Sequence, residues 1–119
     1  MQTISNFIFS LELALLLTHE MDAIRGKEWE MFIILKDMDD ERAYSIFMLM
    51  HIPLYTIILA LLFSNHIRIG LYIVDVFLIA HTLVHIGFRK HPANKLNNTI
   101  SKYIIQIAGV LSIIHLLLI

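Results

Sequence analysis

The sequence predicts an all-α fold, a four-helix antiparallel transmembrane bundle forming one domain over residues 1–119. Three observations predict it. The chain is 58% hydrophobic and 16% charged, with a mean hydropathy of +0.74; a soluble domain is typically about 45–50% apolar and about 25% charged. Four stretches each hold roughly 20 mostly apolar residues, the length a helix needs to cross a hydrocarbon core of about 30 Å. The basic residues gather in two connections that alternate with a short turn.

The first span covers residues 4–24 and is interrupted by Glu12, His19, Glu20 and Asp22. No Lys or Arg precedes it and no small-residue cleavage site follows, so it reads as a retained span rather than a cleaved signal. In the connection 25–42, the apolar run Glu28–Lys36 is too short to span. It reads as a short interfacial segment with Trp29 anchored among headgroups. Glu28 and Glu30 read as surface residues flanking that Trp, with Glu28 close enough to reach the span interior from above.

Asp39 or Asp40 is placed to cap the second span, residues 43–64, which carries His51 and Pro53. Pro53 frees a backbone carbonyl near residue 49 and is expected to bend the helix beside His51. Residues 65–66 make a tight turn into the third span, 67–88, which carries Asp75, His81 and His85. Pro92 is expected to stop that helix. Asn97 or Asn98 is placed to cap the fourth span, 99–119, with His115 near its end.

Loop 25–42 holds Arg25, Lys27, Lys36 and Arg42. Loop 89–98 and the start of the fourth span hold Arg89, Lys90, Lys95 and Lys102. The opposite side has only Arg68. The excess of Lys and Arg places both loops in the cytoplasm and both termini outside a bacterial inner membrane.

Depth then sorts the polar residues. His81 and His85 lie four apart, hence one turn apart on one helix face. They fall about 5–10 Å inside the cytoplasmic end of the third span, and His51 about 12 Å inside the second, at 1.5 Å per residue. His19, Glu20 and Asp22 sit within about two turns of the same face. Three helices therefore bring histidines to one level. Glu12 and Asp75 share a deeper level, and Glu12 lies on the same helix face as His19. His66 and His115 fall near the outer face, outside this layer, and His91 in a basic loop.

Intramembrane imidazoles with carboxylates are a donor set for a divalent metal, zinc first and iron second. His19, His51, His81 and His85 are the candidate ligands, with Glu20 or Asp22 as general base. That chemistry fits a metal-dependent hydrolase of a lipid or amphiphile near the cytoplasmic leaflet. The reading from another class is a non-enzymatic membrane module, a proton or ion pathway or an assembly subunit, with the histidines as relay or interhelical hydrogen bonds. The absence of cysteine excludes disulfides, thiolate metal sites and a Cys nucleophile. The expected partners are membrane lipid, a lipid-like substrate and a second copy of the chain, and nucleic acid is not expected.

Thr18-His-Glu-Met-Asp-Ala-Ile24, Lys27-Glu-Trp-Glu30, His51-Ile-Pro-Leu54 and His81-x-x-x-His85 followed by Arg89-Lys-His-Pro92 resemble the pattern of a small uncharacterised bacterial family of four-helix membrane proteins. The resemblance covers about residues 8–115 and implies a membrane location. A second likeness, of site type alone, is to ceramidase-like membrane hydrolases, which hold zinc with membrane-embedded histidines and an acid. Those proteins have about seven spans, and no serine here matches theirs.

Overall fold

Four helices run up, down, up and down: α1 (Gln2–Arg25), α2 (Asp40–Leu62), α3 (Ile67–Gly87) and α4 (Thr99–Leu118). The structure is a computed structural model and describes residues 2–32, 34–92, 94–95 and 98–119. No strand occurs among the described residues. The first connection contains a short 3-10 turn, Glu28–Met31, in place of a continuous interfacial segment.

Side-chain chemistry at the ends sets the helix limits more than hydropathy does. The Asp39 carboxylate accepts the Arg42 N–H at 3.2 Å, so α2 begins three residues before its apolar run. The Asn98 side chain accepts the Ser101 N–H at 2.8 Å and starts α4; the other candidate cap, Asn97, lies outside the described residues. Between α2 and α3, the Ser64 hydroxyl donates to the Leu61 carbonyl and accepts the His66 N–H, each at 2.9 Å. Pro92 is not what stops α3. The helix closes at Gly87, with Phe88 donating back to the carbonyls of Ile86 and Val84, before the proline is reached.

Helices α2, α3 and α4 are long and apolar enough to cross a membrane. Helix α1 is as long but carries its polar residues inward. Its buried face is Ser5, Glu12, Leu16, His19 and Ala23, while Ile4, Phe7, Leu11, Leu17, Met21 and Ile24 point out. A surface helix of a water-soluble protein shows the opposite polarity. The outer surface continues in this way with Phe63, Ile100 and Leu117, each more than 70% exposed. An apolar belt of this extent is stable only where lipid covers it.

Helix α4 packs against both α1 and α3, and α3 also packs on α2. Small residues permit the close α3–α4 contact. A Cβ on Gly109 would come within 2.5 Å of Thr82 Oγ1, and the Thr82 hydroxyl donates to the Ile105 carbonyl at 3.1 Å. The mid-bundle core is Leu16, Ile58, Val74, Leu78 and Ala108. A second cluster, Ala23, Trp29, Leu35, Ala43 and Phe47, fills the gap between α1 and α2. Trp29 therefore corrects the expectation of a headgroup anchor. It is 4% exposed, with its ring centroid 5.6 Å from that of Phe47 and 5.7 Å from that of Tyr44.

Candidate functional site

Two buried polar clusters lie above and below the mid-bundle core. The first joins α1, α3 and the 3-10 turn. His19 Nε2 and His81 Nε2 are 2.9 Å apart. Glu28 reaches His85 Nε2 at 3.2 Å through one oxygen and His19 Nε2 at 3.6 Å through the other. One donor atom from each of the four residues lies within 4.8 Å of the other three. Tetrahedral ligands about 2.0–2.1 Å from a zinc ion stand roughly 3.3 Å from one another, and the separations of 2.9, 3.2 and 3.6 Å bracket that spacing. Two imidazole nitrogens at 2.9 Å must share one proton or one cation.

The backbone brings Glu28 there. After Gly26, Lys27 takes a left-handed conformation, φ 49° and ψ 53°. That conformation is uncommon for a residue with a Cβ. It turns the chain sharply back over the end of α1, and the Lys27 ammonium holds Asp40 at 2.7 Å. Glu28 is 5% exposed, which corrects its assignment to the surface. Burial pushes its carboxyl up, but the His85 hydrogen bond and the His19, His85 and His81 charges outweigh this, and the net position is below the ordinary value of 4.5. His19 Nδ1 and Glu28 Oε2 have no hydrogen-bond partner among the described residues.

His51 is not in this cluster. Its Nδ1–H donates to the Phe47 carbonyl at 2.7 Å, and its Nε2 lies 2.7 Å from Glu20 Oε2. A carbonyl only accepts, so Nδ1 carries a proton, and a second proton sits between Nε2 and Glu20. Asp22 also stands apart. Its carboxylate accepts from Arg25 and from the Ser101 hydroxyl, tying α1 to the start of α4. Of the predicted site residues, the structure thus brings together His19, His81 and His85, pairs Glu20 with His51 beside them, and turns Asp22 to a structural ion pair.

Two openings flank the cluster. A groove of about 410 Å³ between α2 and α3 is lined by Glu20, Glu28, Phe47, His51, Leu54, Phe77 and His81. A pocket of about 180 Å³ on the α3–α4 side is lined by His85, Arg89, Asn94, Lys102 and Gln106.

The second cluster joins α1, α3 and α4. The His115 Nδ1–H donates to both Asp75 oxygens, at 3.0 and 2.9 Å, and lies 3.6 Å from Glu12 Oε1. All three residues are at most 1% exposed. Sequence depth paired Glu12 with Asp75 and set His115 near the outer face, outside the layer of His81 and His85; the structure keeps it out of that layer but joins it to Glu12 and Asp75. The signal available was His115 itself, one more imidazole on an inward α4 face otherwise made of Ser101, Ile105, Ala108, Gly109 and Ser112.

An outward apolar belt around inward His/carboxylate clusters defines a helical membrane protein with potential metal-binding groups. More narrowly, the chain belongs to DUF6713, a family of unknown function whose model matches residues 5–119. No curated protein and no solved structure matches it, so the likeness to ceramidase-like hydrolases rests on site type alone.

Proposed function

We propose that the protein is a multi-pass inner-membrane metalloprotein of bacteria, with His19, Glu28, His81 and His85 holding a divalent metal under the cytoplasmic leaflet. Both termini lie outside, as the basic loops 25–42 and 89–98 favour. The observation that carries the proposal is the convergence of three imidazoles and a carboxylate from three elements, with Glu28 Oε2 left without a donor. The donor set suits zinc first and iron second.

The reaction class we assign is hydrolysis of an amphiphile with an anionic headgroup. A zinc ion would polarise water and an acyl or phosphoryl oxygen. Glu28 offsets only part of a divalent charge, which leaves the site attractive to an anionic group. Arg89 and Lys102, in the pocket beside His85, add to that attraction. Apolar tails fit the groove walled by Phe47, Leu54 and Phe77. The Glu20–His51 pair in that groove holds a proton between Oε2 and Nε2, and it would accept a second from water and return one to the leaving group. The proton- or ion-pathway reading is less favoured, because Leu16, Val74 and Leu78 form a dry layer between the two clusters.

Metal analysis of detergent-purified protein tests the reading. Bound zinc or iron is expected to fall by about one ion per chain, relative to the wild type, in His85→Ala and His81→Ala but not in His51→Ala. Metal-free wild-type protein, or content unchanged by His85→Ala, would overturn it.

A further inference from the structure

The geometry points to a second, separate cation site: Glu12, Asp75 and His115 form a divalent-metal centre, richer in oxygen donors than the first and reached from the other end of the bundle. Glu12 is wholly buried, and neither of its oxygens has a hydrogen-bond donor among the described residues. The neighbouring hydroxyl does not supply one, because Ser112 donates to its own helix at the Ala108 carbonyl, 2.8 Å away. The two oxygens of Asp75 accept the His115 Nδ1–H and lie beside the Glu12 carboxyl. Two carboxylates and one imidazole therefore face one another in a dry interior, one donor atom of each within 4.8 Å of the others.

An isolated carboxylate in such surroundings is very costly. A proton on Glu12 would remove one charge but leave its other oxygen without a donor. A divalent cation draws on lone pairs from all three residues, takes the place of the Nδ1 proton of His115 as that proton moves to Nε2 and the imidazole stays neutral, and is neutralised by the two carboxylates. The complex carries no net charge, the condition a low-dielectric interior favours. A carboxylate-rich donor set with one imidazole suits Mn²⁺, with selectivity among first-row ions set by geometry and availability rather than by raw affinity. Access exists at the outer end, where a cavity of about 630 Å³ lined by Gln2, Ser5, Asn6 and Ser10 reaches His115. The basic group at its rim, Arg68, is turned to the Ile119 carbonyl at 3.1 Å.

The test uses full-length protein in detergent, stripped with a chelator and titrated with Mn²⁺, with free ion followed by electron paramagnetic resonance. His85→Ala, which disables the first centre, is expected to keep about one tight Mn²⁺ per chain. Adding Glu12→Gln, close in shape, should weaken that binding by at least about 100-fold while the circular dichroism spectrum is unchanged. Retained affinity in the double variant, or no tight Mn²⁺ in His85→Ala, would overturn the second site. So would a neutral carboxylic acid infrared band that is lost in Glu12→Gln and persists at saturating Mn²⁺, since the occupant is then a proton. Failure of the first centre reads differently, as metal content that His85→Ala leaves intact.

Discussion

The two polar clusters share α1 and α3 and differ in how each balances its charge. Near the basic loops, three imidazoles meet one carboxylate, and the carboxylate arrives on a turn outside the helices. Near the opposite end, one imidazole meets two carboxylates, all on helices and all fully buried. The first set is close to balanced, because a neutral imidazole costs little and Glu28 has two histidines beside it. The second sets two carboxyl groups against one imidazole, and the Glu12 oxygens have no hydrogen-bond donor among the described residues. The bland role for buried histidines, interhelical hydrogen bonding, accounts for much of the first cluster but not for Glu12. Access differs too: the first set adjoins a groove and a basic pocket, whereas a cavity at the end of the bundle reaches the second.

This contrast sets an order of effects. Asp75→Ala should be the most damaging, at about 3–5 kcal/mol, because it leaves the buried His115 N–H without an acceptor and breaks a fully desolvated pair. His81→Ala, at a partly exposed position, should cost about 1–2 kcal/mol. Unfolding in a mixed-micelle denaturant series compares the two, and a larger loss for His81→Ala would show that the fully buried Asp75–His115 pair is not the more costly one to break. Both values refer to metal-free protein.

Glu28 gives a smaller, pH-dependent effect. Its carboxyl is held below its ordinary value in the folded protein, so it contributes stability above that value. The contribution is lost as pH falls through the depressed folded value. Glu28→Gln should therefore flatten the acid limb of a stability–pH profile and leave the limb above neutrality unchanged. Equal acid sensitivity in both proteins would show that Glu28 gains nothing from the histidines.

Lys27 gives the smallest effect. Lys27→Gly relieves the left-handed backbone but removes the partner of Asp40, and both residues of that pair are largely exposed. The two changes offset, and stability should stay close to that of the parent. A fall in metal content without a fall in stability would show that the pair positions Glu28.

Much of the fold was legible in the sequence because a bilayer imposes simple rules. Helix number, length, order and alternation follow from hydropathy and the turn at 65–66, and both caps that the structure uses, Asp39 and Asn98, were among the candidates. The inward face of α1 was legible too, since Glu12 and His19 are seven residues apart; Leu16 on the same face, which closes the layer between the clusters, was not separated from the other leucines.

Tertiary structure alone decided membership of the clusters. Depth counting gives only a position along an axis. It grouped His51 with His81 and His85, whereas the rotation of α2 turns His51 to Glu20. It placed His115 about 6 Å from its helix end and Asp75 about 12 Å from its own, yet the two side chains meet at 2.9 Å. Glu28 was hidden for another reason, since a single left-handed residue at Lys27 redirects the chain and hydropathy has no term for a backbone dihedral. Partition into lipid depends on sums over many residues and survives local error. A coordination shell depends on a few ångströms, which only packing fixes.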